Sequence, residues 1–79
     1  MREVQISGEV IRLGQLLKLA AVAGSGSDAK HLLEAGAVEV NGRPEPRRGR
    51  QLHPGDVVAV AGESIRVVAD RVVRDGEGG

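Results

Sequence analysis

The clearest structural signal in the chain is SDAKHLLEAGAVEVNG, residues 27–42, where the spacing of apolar residues changes from a helical to an extended period. Ala29 and Leu33 recur at the spacing that places side chains on one face of a helix. Ser27 is predicted to cap this helix, because a serine oxygen can accept a hydrogen bond from the unpaired amides of the first turn. Gly36 suits the left-handed position that ends a helix, so we expect the helix to stop there.

The segment after this helix is predicted to be a β-hairpin. VEV alternates apolar and polar residues, and the dipeptide Asn41-Gly42 that follows is the strongest short-range signal for a two-residue type I′ turn. Such a turn pairs Val40 with Arg43 across the hairpin. Pro44 then lies where its missing N–H group faces away from the partner strand, so we expect the return strand at an edge of the sheet.

The sequence on either side completes an α+β architecture. Residues 2–6 alternate like a short strand, and an apolar stripe from Leu13 indicates a first helix that ends before AGSGS. VVAV and SIRVVA, separated by a turn, are predicted strands. We therefore expect two packed helices against a small antiparallel sheet of about four or five strands. Residues 1–70 are predicted to form this single domain, and residues 71–79 a disordered polar tail.

Composition narrows the possible functions of this 79-residue chain. It contains no Phe, Tyr, Trp or Cys, which excludes RNA binding by aromatic stacking, disulfide bonds and thiolate metal sites. The longest apolar runs are far too short to span a bilayer, and the N-terminus does not resemble a signal peptide. We expect a small monomeric cytoplasmic domain without membrane association.

Positive charge is concentrated in one part of a chain whose net charge is zero. Residues 38–55 hold four arginines against two glutamates, a local charge of +2, and three of these arginines lie in residues 47–50, here called the arginine arm. Arginine presents a planar set of donors that matches phosphate oxygens. The arm is therefore predicted to contact the backbone of a folded RNA. The alternative left open is that charge and proline protect a sheet edge from aggregation.

The AGSGSDAK segment could hold a phosphate without being a nucleotide-binding loop. It lacks the Gly-Lys-Ser/Thr ending of such loops, which argues against nucleotide hydrolysis. The amides around Ser25 and Gly26 open a helix, and a helix N-terminus can bind one phosphate, although an ordinary interhelical loop is the alternative. Lys30 and His31 share the polar face of this helix. Neither His31 nor His53 has a second ligand at helix or hairpin spacing, so no metal site is predicted.

The C-terminal pair Gly78-Gly79 suggests a second class of function. Sulfur carriers and ubiquitin-like modifiers also end in Gly-Gly, and some contain segments similar to VNG and GDVVAV. Their fold begins with a full hairpin before its helix, however, whereas two predicted helices precede the Asn41-Gly42 turn here. This difference argues against a carrier fold. Because of the Gly-Gly ending, a small sulfur-carrier or ubiquitin-like protein remains the alternative to an RNA-binding module.

Three segments together resemble one known family: LGQLLKLA, SGSDAKHLLEAGAVEVNG and RRGRQLHPGDVV. They are similar to the alpha-L RNA-binding motif, the domain named after small-subunit ribosomal protein S-four, and in particular to its short stand-alone bacterial members. The resemblance covers residues 2–68. It implies two helices on a small sheet, with RNA bound where the second helix meets the hairpin, and no catalysis. Carried over by position, the RNA-facing residues would be Ser27, Lys30, His31, Asn41, Arg43, Arg47, Arg48 and Arg50.

One position departs from the pattern of that family. Many members read Ser-Arg-Ser entering the second helix, whereas this chain has Ser25-Gly26-Ser27, so an arginine expected to meet phosphate is absent. The backbone amides and Lys30 are expected to take over part of its role. The implied partner is structured RNA, whether ribosomal RNA, tRNA or a ribosome-assembly intermediate, and the sequence does not choose among them. No cofactor is expected.

Overall fold

The structure is a computed structural model that describes residues 1–69. Residues 70–79, including the predicted polar tail and Gly78-Gly79, lie outside the described residues. In chain order the elements are β1 (Arg2–Ile6), β2 (Ile11–Arg12), α1 (Leu13–Leu19), α2 (Gly26–Glu34), β3 (Val38–Val40), β4 (Arg43–Pro44), β5 (Gln51–Leu52), β6 (Val57–Val60) and β7 (Glu63–Ala69). Neither α1 nor α2 is long and apolar enough to cross a membrane. The short strands β2 and β5 are additional to the predicted elements.

Five strands form one sheet in the order β1-β7-β6-β3-β4. All neighbours in it are antiparallel except β1 and β7, which run parallel with Val4 opposite Val67. The predicted α+β class is confirmed, but the expectation of a wholly antiparallel sheet is wrong for this pairing. Tight turns force consecutive strands to run antiparallel, whereas β1 and β7 are separated by most of the chain and can pair in either direction.

One face of the sheet carries the hydrophobic core. Side chains alternate between buried and exposed along the strands, as in Val38, Glu39 and Val40. A single cluster of buried side chains joins this face to both helices. The largest fully buried side chains are Leu13, Leu16, Leu17, Leu52, Ile65, Val38, Val58 and Val67. The core is built from aliphatic side chains alone. The charged residues of both helices lie at the surface.

The helix α2 begins earlier than predicted. The side chain of Ser25, not that of Ser27, accepts a hydrogen bond from the Asp28 amide at 3.2 Å. The Asp28 carboxylate in turn accepts from the Gly24 amide at 3.2 Å. The arrangement is similar to a capping box, which pairs a serine with an acidic or amide residue three positions later, except that Asp28 binds the amide before Ser25 and not that of Ser25 itself. Ser25 has Asp28 at that spacing, whereas Ser27 has Lys30, which explains why the cap forms at the earlier serine.

Two hairpin turns have left-handed backbone at both central residues. Asn41 and Gly42 have φ angles of 52° and 85°, which confirms the predicted type I′ turn, and the return strand β4 lies at the sheet edge as expected. Ala61 and Gly62, between β6 and β7, have φ angles of 53° and 77°. Alanine is unusual in this conformation because its Cβ approaches the following carbonyl oxygen too closely. The second turn is therefore strained where the first is not.

The arginine arm folds back onto α1. The Arg50 amide donates to the Arg47 carbonyl at 3.2 Å, which closes a turn. The carbonyls of Arg50 and Arg48 accept hydrogen bonds from the amides of Leu13 and Gly14, at 2.8 and 2.9 Å. These amides lie in the first turn of α1, where the helix has no acceptors of its own. A Cβ on Gly14 would lie only 3.3 Å from the Cβ of Arg48, so glycine permits the close approach.

Replacing Ala61 by asparagine is expected to stabilise the protein. Asparagine tolerates left-handed backbone, and Ala61→Asn would reproduce the Asn-Gly sequence of the first turn. We expect the free energy of unfolding to rise by about 0.5–1 kcal/mol, part of the roughly 1–2 kcal/mol that left-handed backbone costs an L residue. Ala61→Val is the control and should unfold more easily, since β-branched residues fit this backbone worst. Chemical denaturation measures both changes, and equal stability of the variants would contradict the assigned strain.

Candidate functional site

A basic cleft of about 250 Å³ lies between the two helices and the arginine arm. Its charged residues are Arg12 at the start of α1, Lys18 near the end of α1, and Arg48 from the arm. No carboxylate of residues 1–69 lies within ion-pair distance of these three side chains. Their uncompensated charge makes the cleft suitable for an anion. The full lining is Arg12, Gly14, Gln15, Lys18, Gly26, Ala29, Arg48 and Gly49.

A second cleft of about 300 Å³ shares Arg48 with the basic cleft. Its other lining residues are Lys30, Leu33 and Glu34 from α2, together with Pro46. Because Arg48 lines both clefts, the two form one continuous surface along α2 and the arm. The structure thus brings together three residues predicted for the site. They are Gly26, Lys30 and Arg48.

The N-terminus of α2 is only partly available to a phosphate. The hydroxyl of Ser25 already accepts from the Asp28 amide, and the Asp28 carboxylate places a negative charge beside the first turn. In the described part of the chain, the amides of Gly26 and Ser27 meet no backbone acceptor. Gly26 also lines the basic cleft. Of the predicted phosphate-binding pair, Ser25 therefore caps the helix and Gly26 borders the anion site.

Arg47 and Arg50 lie against a separate open cleft that includes His53 and Asp56, and both bind the carboxylate of Glu45. Glu45 is buried, with 6 % of its surface exposed. Its Oε2 accepts from the amide and the Nε of Arg47 at 3.1 and 3.0 Å, and its Oε1 accepts from Nη1 of Arg50 at 2.8 Å. The Arg47 side chain is still 75 % exposed and that of Arg50 38 %. Both arginines keep donors for a ligand, although one of their two charges is cancelled.

The two arginines keep Glu45 ionised far into the acid range. The side-chain hydrogen bond from Arg47, followed by those from Arg50 and from the Arg47 amide, lowers the pKa of Glu45 from 4.5 to about 2. Desolvation of the carboxylate raises the pKa but is a smaller effect. Since the folded pKa lies below the unfolded value, these contacts contribute their full stability above about pH 4.5. That contribution is lost as the pH falls toward 2.

Asn41 joins the first hairpin to the rest of the sheet. Its side-chain carbonyl accepts from the Val57 amide at 2.9 Å, and its side-chain N–H donates to Oδ1 of Asp56 at 3.1 Å. Desolvation acts to raise the pKa of Asp56, but hydrogen bonds from the His53 amide and from Asn41 lower it overall. Both polar ends of the Asn41 side chain therefore have partners within the protein, and this residue shapes the hairpin.

The remaining predicted residues lie outside the two clefts that meet at Arg48. Ser27, His31 and Arg43 are exposed, the first two on α2 and the third on β4. Conversely, Arg12 and Lys18 line the basic cleft but are missing from the predicted set. Their only signal in the sequence is a polar position beside the apolar stripe of the first helix, which is typical of any surface helix. Across residues 1–69, no three His, Asp or Glu side chains are grouped so as to hold a metal ion.

The contacts of Glu45 predict an unusual titration. In the intact protein, the Glu45 carboxyl carbon should titrate by NMR with a midpoint near pH 2, because protonation disrupts hydrogen bonds to two arginines. In Arg47→Ala, the midpoint should move back toward 4.5, since Arg47 makes the largest contribution. A midpoint near 4.5 in the intact protein would show that the arginines do not hold this carboxylate.

Comparisons with known proteins show the family of this chain. The model of the S4 domain matches residues 4–68. Over 59 residues the chain is 51 % identical to "Probable ribosome maturation protein RlbA" of Bacillus subtilis strain 168, a match that covers 75 % of this chain and 83 % of that protein. It is 44 % identical over 54 residues to small ribosomal subunit protein uS4m of Schizosaccharomyces pombe, covering 68 % of this chain and 16 % of that protein.

A solved structure shows the same fold. The 30S ribosomal protein S4e from Thermoplasma acidophilum superposes with a TM-score of 0.57 at 24 % sequence identity, and the match covers 91 % of this chain and 35 % of that one. These findings confirm the family resemblance seen in the sequence and give no support to a sulfur-carrier or ubiquitin-like protein. The matched residues include both helices, the first hairpin and the arginine arm. The chain belongs to the S4 domain family.

Proposed function

We propose that this S4 domain is a non-enzymatic module that binds structured RNA through its phosphate backbone. The observation that carries the proposal is the set of cations in the two clefts that meet at Arg48. No carboxylate of residues 1–69 forms an ion pair with them, so their charge is available to a ligand. These cations are Arg12, Lys18, Lys30 and Arg48.

The chemistry of this surface suits phosphates better than bases. The chain has no aromatic side chain on which a base could stack. The deep, narrow major groove of A-form RNA excludes side chains, so a domain of this kind recognises shape and backbone. The lysine and arginine side chains start from β2, both helices and a docked turn, so their backbone positions have a fixed spacing. Such spacing favours a folded RNA over a flexible single strand.

The names of the relatives favour ribosomal RNA as the target. One matched protein is named for ribosome maturation, and two others are named as ribosomal proteins. We therefore propose ribosomal RNA, free or in an assembly intermediate, ahead of tRNA. Because all the cleft residues come from one chain, a monomer is sufficient for binding. Ribosomal RNA as the target implies that the protein acts in the cytoplasm.

The geometry supports different roles for the residues predicted from the sequence. We assign the main phosphate contacts to the four cleft cations and a bordering position to Gly26. Ser27, His31 and Arg43 are exposed beyond the clefts and would contact a ligand that extends past them. Arg47 and Arg50 present donors in a separate cleft. Asn41 and Ser25 act by shaping the hairpin and the helix cap.

RNA binding should depend strongly on salt. If each of the four cations neutralises about one phosphate, the logarithm of the binding constant should fall with a slope of about −3 to −4. Raising the salt from about 50 to 200 mM should then weaken binding about 100-fold. Fluorescence anisotropy with a ribosomal RNA fragment and with tRNA measures both slopes. Binding that is absent, or insensitive to salt with both RNAs, would contradict the proposal.

Among single substitutions, Arg48→Ala should weaken RNA binding most, because Arg48 lines both clefts. We expect about a tenfold loss of affinity and a salt slope reduced by about 1, with the unfolding free energy changed by less than about 0.5 kcal/mol. Lys18→Ala should act in the same direction. Arg66→Ala is the matched control, since Arg66 is an exposed arginine on the sheet face away from the core, and it should bind normally.

The same variants distinguish RNA binding from protection of a sheet edge. Under the edge-protection alternative, Arg48→Ala would bind RNA as the unaltered protein does but aggregate at lower concentration. Light scattering of each variant over a range of concentrations measures aggregation. Normal binding by Arg48→Ala and Lys18→Ala together would remove the clefts from the proposed site.

A further inference from the structure

Glu45 has no place among the proposed RNA contacts, yet it lies inside the most basic part of the chain. It is the only buried charged residue in the described part of the protein. A buried carboxylate is unfavourable unless its charge is paired and its oxygens accept hydrogen bonds. Beside an RNA backbone it also repels phosphates. Its presence there suggests a compensating role.

The hydrogen bonds of Glu45 connect the sheet to both ends of the arginine arm. Its own amide donates to the Val38 carbonyl at 3.0 Å, which fixes its backbone to β3. Its carboxylate accepts from Arg47 through the backbone amide, Nε and Nη2, and from Arg50 through Nη1. Arg48, which lies between these two residues in the sequence, lines the clefts formed with the helices. Glu45 thus joins the two arginines that flank Arg48, and Arg48 itself forms no ion pair among residues 1–69.

We propose that Glu45 is a positioning residue for RNA binding, which holds Arg47 and Arg50 in place and thereby directs Arg48 into the clefts. This inference rests on the proposed function. A guanidinium group has five N–H donors, and Glu45 engages two in Arg47 and one in Arg50. The remaining donors can still meet a phosphate. Holding long side chains in place beforehand reduces the entropy that binding would otherwise remove.

Positioning and simple charge attraction predict opposite effects for the same substitution. Glu45→Gln keeps the size of the side chain and removes one negative charge from the surface that meets RNA. Charge attraction alone predicts tighter binding and a steeper dependence on salt. Positioning predicts weaker binding, because Arg47 and Arg50 lose the carboxylate that orders them. The sign of the change in affinity therefore distinguishes the two.

The first test compares the RNA affinities of Glu45→Gln and Glu39→Gln. We expect Glu45→Gln to bind about three- to tenfold more weakly, the effect of losing well-placed hydrogen bonds. Glu39→Gln makes the same charge change in the same hairpin, at an exposed residue that pairs with no arginine among residues 1–69. It should bind as well as the unaltered protein or slightly better. Equal or tighter binding by Glu45→Gln would overturn the inference.

A second comparison separates positioning from loss of the fold. In the Arg47→Ala/Arg50→Ala background, Glu45 has no arginine to position, so Glu45→Gln should tighten RNA binding instead of weakening it. A variant that simply unfolds would bind more weakly in both backgrounds. Circular dichroism confirms that each variant is folded at the temperature of the assay. Weaker binding of Glu45→Gln in both backgrounds, with the fold intact, would also overturn the inference.

A readout without RNA keeps this inference distinct from the proposed function. In the free protein, the Arg47 amide should exchange slowly with solvent, and the Nε–H resonances of Arg47 and Arg50 should be sharp. Both features should be lost in Glu45→Gln and kept in Glu39→Gln. Absence of RNA binding in the unaltered protein would overturn the proposed function, whereas rapid exchange and averaged arginine signals would overturn the positioning by Glu45.

Discussion

Two hydrogen bonds join the arginine arm to the first turn of α1, and the candidate binding surface depends on this contact. The amides of Leu13 and Gly14 have no acceptors within the helix, and the carbonyls of Arg50 and Arg48 supply them. The contact satisfies the helix and also fixes the backbone of the arm at two points. Arg48 is consequently placed where it lines clefts with both α1 and α2. This contact, together with the pairing of β2 with β5, brings the charges of the helices and of the arm onto one surface.

A chain with no net charge can present a basic surface because its carboxylates are distributed unevenly. Asp28 caps α2, and Glu45 is enclosed within the arm. Glu3 and Glu63 lie beside arginines of the sheet. The four cations of the two clefts form no ion pair among residues 1–69, and Glu34 is the carboxylate that lines the clefts with them, so positive charge is in excess there. For this protein, the position of each carboxylate matters more to anion binding than the sum of the charges.

Local elements could be predicted because their signals lie within a few residues. The turn at Asn41 follows from the tolerance of asparagine and glycine for left-handed backbone, and the end of α2 at Gly36 has the same origin. The cap of α2 shows the limit of this reasoning. Ser25 and Ser27 are both suitable caps, and the choice depends on which of them has a partner such as Asp28 three residues later. That signal is present in the sequence, whereas the prediction of Ser27 uses only the ability of a serine oxygen to accept from the first-turn amides.

The amino-acid sequence alone specifies the two helices, the hairpins, the basic character of residues 47–50 and the resemblance to the S4 domain. Long-range contacts settle the rest: the parallel pairing of β1 with β7, the return of the arm onto α1, and the addition of Arg12 and Lys18 to the site. They also place Arg48 in the basic cleft and Arg47 and Arg50 in a separate one. Periodicity and turn preferences report the conformation of neighbouring residues. The packing of the helices and strands decides which distant groups bind an unpaired amide or a buried carboxylate.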